Sequence, residues 1–238
     1  MPEFLELFRK LVAKHQNALR GRWENFWASE ATSVVELVGP DDILDKMTYA
    51  LTNPVKVGLI DRAHHWPGAS SLFAYLSDRP IAARRPSRFF RRDGEMPEWL
   101  TLRVERPPAF KHLRLEEWRA LLDDRIRAIE ASARDERLAS GRRILGRAGV
   151  LRQRPADRPH SHEARRQLNP RVASANKWAR IAALQRNKAF LAAYRAARDL
   201  WKAGVAAIFP AGTYWLRKFA GVIVDEQDLT LSAPASPA

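Results

Sequence analysis

The sequence predicts an α+β fold, in which helices pack with a few short strands, followed by a mainly helical basic extension. Three observations support this. Long segments carry apolar residues at three- and four-residue spacing, short β-branched runs end at Gly-Pro or Pro-Pro, and the formal charge of +14 is unevenly placed. Residues 1–78 hold 8 Lys/Arg and 10 Asp/Glu (−2), and residues 79–238 hold 33 and 17 (+16). We therefore predict one domain over 1–78 and a second over 79–238.

The first domain is predicted to contain two helices separated by one or two strands. Phe4 and Phe8 belong to the apolar face of a helix over about 3–20. Strands are expected over about 23–38, where valines precede Gly39-Pro40. A helix over 41–53 follows, and Pro54 is expected to end or kink it. The apolar stripe of this second helix comprises Ile43, Leu44, Met47, Ala50 and Leu51.

The composition excludes several classes of site. The 238 residues include no cysteine, which excludes disulfides and thiolate zinc sites. No stretch approaches the roughly 20 apolar residues of a membrane helix, and the N-terminus lacks the basic start and apolar run of a signal peptide. No glycine-rich phosphate loop and no Gly-x-Ser-x-Gly turn is present. These features indicate a soluble cytoplasmic protein without membrane contact.

The most informative residue is Tyr49, near the end of the second predicted helix. At about 100° per residue, Tyr49 falls opposite the apolar stripe, and Asn53 follows one turn later on the same side. A phenol on the polar side of a helix is not an obvious core residue. The pattern therefore places Tyr49 outside the expected core of the domain.

The segment Tyr-x-x-x-Asn-Pro-Val-Lys, followed by Gly-Leu-Ile, resembles the signature helix of the single-tyrosine HUH transposases, in particular the REP-associated, insertion-sequence-like proteins of bacteria. The resemblance extends upstream through RWENFWASEATSVVEL (22–37) and downstream through HHWPGASS (64–71). It covers about the first third of the chain. It implies that the first domain is the later part of an HUH-type α/β sandwich.

The resemblance also implies a chemistry for DNA transposition. Tyr49 would attack a phosphodiester of single-stranded or hairpin DNA, and a divalent ion, Mg²⁺ or Mn²⁺, would polarise the scissile phosphate. Asn53 would be the metal ligand on the helix, beside two histidines of a His-hydrophobic-His strand. A free phenol has a pKa of about 10, so it needs such activation at neutral pH. Members of the family often pair, so a homodimer is one expected state.

The chain departs from the family at the metal site. The His-hydrophobic-His strand should precede the first helix, but Met1 lies at the start of that helix, so the resemblance implies an N-terminally truncated copy. The one His-x-His, His160-Ser161-His162, lies in a proline-rich stretch after Tyr49, and the adjacent His64-His65 are expected to cap a turn. Cleavage by this chain alone is therefore expected to be impaired. The alternative is a catalytically inactive DNA- or RNA-binding remnant.

Residues 79–97 are predicted to form an exposed basic loop, in which six arginines and three prolines surround Phe89-Phe90. Such a mixture suits single strands, because bases stack on rings and arginines meet phosphates. A linker whose phenylalanines anchor it to the core explains the same pattern. The DNA-binding candidates in this loop are Arg84, Arg85, Arg88, Arg91 and Arg92.

The clearest helix of the second domain runs from about Ser174 to Ala207, after a charged helix that begins at Leu115 and a short basic helix within 141–154. Six of its cations fall within an arc of about 80°. This stripe suits a phosphate backbone, and a solvated helix face is the alternative. The candidates are Lys177, Arg180, Lys188, Arg195, Arg198 and Lys202.

The C-terminal residues are predicted to form a turn and a strand over 209–224, followed by a disordered tail from about 225. Tyr214 and Trp215 lie in the predicted strand. There they would either stack on bases or pack in the core.

Overall fold

The described chain combines helices, which make up most of it, with a few short strands, and this confirms the α+β class. The structure is a computed structural model that describes residues 2–27, 33–87, 89–154, 157 and 169–225. The helices are α1 (Pro2–Arg20), α2 (Pro40–Lys56), α3 (Leu72–Ser77), α4 (Leu115–Ser140), α5 (Gly146–Arg152), α6 (Lys177–Lys202) and α7 (Tyr214–Ala220). The strands are β1 (Glu36–Leu37), β2 (Ile81–Arg84), β3 (Trp99–Leu102), β4 (Val172–Ala173), β5 (Ile208–Phe209) and β6 (Ile223–Val224). The predicted disordered tail lies outside the described residues, as does most of the stretch that contains His160 and His162.

The strands are short and pair two at a time. β1 pairs with β4 and β5 with β6, both in parallel. β2 and β3 form an antiparallel ribbon in which Ile81 lies opposite Leu102 and Arg84 opposite Trp99. Every side chain of this ribbon is exposed. The strands predicted over 23–38 correspond, within the described part of that range, to the two residues of β1.

The chain divides into two compact units, and the division falls within α2. The first unit comprises residues 1–32 and 46–164, and the second comprises 33–45 and 165–238. The boundary expected from the sequence after residue 78 stays a prediction. Among the described residues, no helix is both long and apolar enough to cross a bilayer.

The core of the first unit is built on α4. Trp118 is fully buried, and its ring lies 5.2 Å from Phe110 and 6.3 Å from Tyr75, measured between ring centroids. Leu122 and Ile126 continue the buried face at four-residue spacing along α4. Burial of aromatic rings of this size supplies a large share of the apolar contact in a small domain.

The core of the second unit is built on α6 and the β5–β6 pair. Phe209 of β5 is fully buried and lies 5.7 Å from the ring of Tyr194 on α6. Ala197 and Val222 complete the buried cluster. The start of α6 is fixed by Asn176, whose side-chain oxygen accepts hydrogen bonds from the backbone N–H groups of the first turn.

α2 continues through Pro54 to Lys56, so the expected end at Asn53 is wrong, whereas the alternative of a kink at Pro54 stays a prediction. Proline has no N–H, so the hydrogen bond to the carbonyl of Ala50 is lost. Pro54 stands two residues before the end of the helix, and Ala50, whose carbonyl loses this bond, is exposed. Hydrogen bonds from Val57 N to the Asn53 carbonyl (3.1 Å) and from Leu59 N to the Pro54 carbonyl (2.9 Å) close the turn.

The turn and strand predicted over 209–224 are wrong, because this region contains α7 between β5 and β6. Tyr214 and Trp215 favour strands by propensity, and that preference misled the prediction. The parallel pairing of β5 with β6 decides the local structure, because two parallel strands need a crossover rather than a tight turn. Gly212, with a φ of +99°, provides the reversal that leads into α7.

Candidate functional site

α2 buries one face and exposes Tyr49 on the opposite face. Its buried residues are Leu44, Thr48, Leu51, Thr52 and Val55. Tyr49 is 50% exposed, and Asn53 is exposed one turn later. The predicted orientation of both residues is confirmed. Ile43 and Met47 are only half-buried and Ala50 is exposed, because the buried face is centred further around the helix than the apolar residues indicate.

Two threonines account for that shift. Thr48 is 1% exposed and Thr52 is 0% exposed. The Thr52 hydroxyl donates a 2.6 Å hydrogen bond to the Thr48 carbonyl one turn earlier. A threonine that satisfies its hydroxyl in this way can occupy a core position, so hydropathy alone misplaces it.

Two lysine ammonium groups lie close to the exposed Tyr49 ring. Lys46 Nζ lies 5.9 Å and Lys56 Nζ 5.5 Å from the ring centroid. Together with Asn53, these residues occupy an arc of about 80° on the helix, opposite the buried face. We call Lys46, Tyr49, Asn53 and Lys56 the Tyr49 face. The sequence prediction missed both lysines, although the helical spacing that pairs Tyr49 with Asn53 places them on the same side.

The described residues do not fit a divalent metal at Tyr49. Within them, no group of three or more His, Asp or Glu side chains is placed to hold an ion. Asn53 supplies one neutral amide oxygen, whereas Mg²⁺ binds in near-octahedral sites that use carboxylates and water. The role of Asn53 as a metal ligand and the Mg²⁺ or Mn²⁺ cofactor therefore stay predictions from the resemblance, and no chemical step below depends on them.

His64 and His65 lie in a short 3-10 turn over Ala63–His65. His65 Nδ1 lies 2.7 Å from Asp61 Oδ1, and this hydrogen bond is the main reason that the pKa of Asp61 is lower than usual. The Ala63 N–H donates to a carboxylate oxygen of Glu130 at 2.7 Å. These two contacts hold the turn, and the expectation that the histidine pair caps a turn stays a prediction, because no side-chain cap is present in it.

Two of the five arginines predicted to bind DNA in the 79–97 segment have partners within the protein. Arg84, at the end of β2, forms a 2.8 Å ion pair with Glu98. The Arg85 guanidinium donates to the carbonyl of Met96 at 2.5 Å and to that of Arg92 at 2.8 Å. Arg85 thus holds together the loop that follows β2, so it is poorly placed to meet a phosphate.

The other described candidates of this segment are two phenylalanines that pack against the protein and two exposed arginines. The Phe89 ring packs edge-on against His15 of α1 at 5.3 Å and against Phe90 at 4.8 Å. Both phenylalanines are half-buried, which favours the anchoring alternative over base stacking. Arg91 and Arg92 are exposed. Arg88 lies outside the described residues.

The basic stripe of α6 includes three cations with no partner among the described residues. Lys188, Arg195 and Lys202 are exposed and form no hydrogen bond or ion pair there. Lys177 is also exposed, and its ammonium group lies 5.7 Å from the ring of Trp178. These four positions lie within about 40° of one another around the helix, well away from the buried Ala183 and Ala197.

The other two cations of the stripe border the buried face of α6. Arg180 donates a long 3.4 Å hydrogen bond to the Ser174 carbonyl. Arg198 lies 3.6 Å from Asp199, and its buried Nε has no hydrogen-bond partner among the described residues. Both side chains are therefore tied to the protein surface, so they offer less to an external phosphate than the free cations do.

α7 adds exposed aromatic residues that the sequence assigned to a strand. Tyr214 is 61% and Trp215 is 65% exposed. The Trp215 ring lies 5.0 Å from Phe219, and Lys218 Nζ lies 5.5 Å from the Phe219 ring. Exposure rules out the core-packing alternative for Tyr214 and Trp215.

Comparisons with known proteins found no relative of this chain. No protein-family model matches it, and no curated protein or solved structure matches it at a significant level.

Proposed function

We propose that this chain is a transposase-like protein of the single-tyrosine HUH type, which binds single-stranded or hairpin DNA and presents Tyr49 to a phosphodiester. One observation carries the proposal. The residue that the motif marks as nucleophile lies half-exposed beside two lysines, on the face of α2 that the core does not use. A tyrosine in this setting is open to a large polyanion.

The reaction proposed for Tyr49 is a transesterification. The phenol oxygen attacks the phosphorus of the DNA backbone, the new Tyr–phosphate bond forms, and the bond from phosphorus to the 3′ oxygen breaks. The phenol releases its proton to solvent, and the leaving 3′ oxygen takes up a proton to become a 3′-hydroxyl. The protein is then joined to the 5′ phosphate of the downstream strand. No oxidant or nucleotide cofactor is needed.

DNA is the proposed partner because of the distribution of charge. The excess of positive charge lies entirely after residue 78, and cations without a partner among the described residues line one side of α6. Lysine and arginine in such a stripe neutralise successive phosphates and release their counterions. Arg91 and Arg92 provide a smaller cationic surface in the first unit.

A second candidate function is binding of DNA or RNA without cleavage. It is favoured because, among the described residues, no group of three or more His, Asp or Glu side chains is placed to hold a metal ion that would activate the phenol and the phosphate. The two candidates share the same binding surfaces. They differ in whether a covalent bond forms.

The test uses oligonucleotides labelled at the 3′ end, as single strands, hairpins and duplexes of equal length. We expect tighter binding to single strands and hairpins, and only slow, impaired formation of a covalent protein–DNA adduct in Mg²⁺ or Mn²⁺, which denaturing electrophoresis detects. Tyr49→Phe should abolish the adduct and keep the binding, whereas Tyr214→Phe, at another exposed tyrosine, should keep both. Binding without any adduct would assign the second candidate, and absence of binding would reject both.

A further inference from the structure

We propose that Lys46 and Lys56 form a phosphate-holding pair beside Tyr49. This inference rests on the proposed function: the two lysines bind the DNA phosphate that Tyr49 attacks. Lys46 stands three residues before Tyr49 and Lys56 seven residues after it. The two lysines therefore stand on either side of Tyr49 along the helix, and their ammonium groups lie 5.9 and 5.5 Å from the centroid of the Tyr49 ring.

The two ammonium groups are not held in ion pairs. Neither lysine forms an ion pair or hydrogen bond with another described residue. Two acids of the same helix lie close by: Asp42, whose carboxylate accepts backbone N–H groups of Gly39 and Ala175, and the exposed Asp45, one turn before Tyr49. The lysine N–H donors therefore stay available to a dianionic or polyanionic ligand.

The chemistry of the two lysines matches a phosphate better than it matches the tyrosine ring. A protonated lysine offers three N–H donors and no acceptor, so it can bind the non-bridging oxygens of a phosphodiester but cannot take the phenol proton. Charge on those oxygens grows as the Tyr–phosphate bond forms and the bond to the 3′ oxygen breaks. Fixed cations next to that charge lower the barrier, which is the task that the metal has in the family resemblance.

Asn53 lies between the lysines along the helix and completes the Tyr49 face. Its amide N–H groups are hydrogen-bond donors of the kind that phosphate oxygens accept. The four side chains thus combine one nucleophile with three donors on a single exposed surface. No contact across separate parts of the molecule is required.

The first measurement follows Tyr49 directly. The protein is labelled with 3-fluorotyrosine, the Tyr49 resonance is assigned by its loss in Tyr49→Phe, and inorganic phosphate is titrated at constant ionic strength. We expect a saturable shift of that resonance. Lys46→Gln and Lys56→Gln should each weaken phosphate binding about fivefold, the factor for one charge pair at about 4 Å in water, and the double variant about 25-fold.

The control variant is Lys10→Gln combined with Lys14→Gln, which removes the same charge from exposed positions of α1 whose ammonium groups do not lie over the Tyr49 ring. This variant should keep the wild-type midpoint within about twofold, since its lysines act only through the long-range potential. A wild-type resonance that does not respond to phosphate, or a lysine pair variant that titrates like the wild type, would overturn the inference.

The second measurement separates this inference from the proposed function. If DNA binding and a Tyr49-dependent adduct are present, the Lys46/Lys56 double variant should lose at least about 25-fold in the rate of adduct formation, and an unchanged rate rejects the pair. If DNA binding is absent while the phosphate shift still depends on the lysines, the proposed function fails and the phosphate site stands. The two failures therefore give different results.

Discussion

Replacement of Lys188, Arg195 and Lys202 together by alanine should weaken binding of single-stranded DNA by a factor that depends on salt. Each phosphate neutralised on a single strand changes the slope of log K against log salt by about 0.7. Three lost contacts flatten the slope by about 2.1. Relative to about 1 M salt, where the electrostatic term vanishes, the affinity of the variant is then about 100-fold below the wild type at about 0.1 M salt and about 12-fold below it at about 0.3 M. Alanine is a strong helix former, so α6 itself should persist.

The geometry of α6 sets that number of contacts. Lys188 and Lys202 are separated by 14 residues, which corresponds to about 21 Å along the helix axis at about 1.5 Å per residue. This length spans roughly six phosphates of a stacked strand at about 3.4 Å each. All three side chains are exposed and unpaired within the described chain, whereas Arg198 is already held near Asp199 and is left unchanged in this variant.

Fluorescence anisotropy at four or more salt concentrations measures both the affinity and the slope. The matched control is Arg22→Ala, Lys111→Ala and Arg127→Ala, which removes the same formal charge from cations that already pair with neighbouring carboxylates. The control should change the slope by less than about 0.7. Equal losses in both variants, or no change in the α6 variant, would show that α6 does not track the DNA backbone.

Two further predictions concern the first unit. Arg85→Ala removes the hydrogen bonds that hold the loop after β2, so chymotrypsin should cleave beside Phe89 several-fold faster than in the wild type. The control Arg91→Ala should leave the cleavage rate unchanged. Equal cleavage rates in the two variants would show that Arg85 does not order the loop. The pKa of Asp61 is lowered in the fold by its hydrogen bond with His65, so the pair stabilises the protein above the ordinary carboxyl pKa of 3.8 and loses that effect as pH falls through the lowered pKa. The free energies of unfolding in urea of the wild type and of Asp61→Asn should therefore differ most above about pH 4 and converge in stronger acid. A difference that is constant with pH would show that the ionised Asp61 carboxylate is not the source of the stabilisation.

The long helices could be predicted because their sequences carry a strong periodic signal. α1 lies within one residue of its predicted ends, α6 within five residues, and α4 begins at the predicted Leu115. α7 could not be predicted in the same way. Its seven residues are too few for periodicity, and its form depends on the parallel pairing of β5 with β6, a contact between residues that local propensity does not encode.

The candidate site was predictable in part for a similar reason. Helical geometry alone gives the outward position of Tyr49 and Asn53. The internal bonds of Arg84 and Arg85 were not predictable, because they depend on a ribbon that brings Glu98 and Met96 back beside β2. A count of arginines measures charge, but only the fold determines which of them are free.

The β2–β3 ribbon has a consequence for hydrogen exchange. Its eight side chains are all exposed, so its backbone bonds have no buried apolar contacts to protect them. An isolated pair of strands has a low free energy of local opening. α4, which carries the fully buried Trp118, has a much higher one. Amide protons of the ribbon should therefore exchange through local opening, long before those of α4. The arginine loop that the ribbon carries can then rearrange while the core of the unit stays folded.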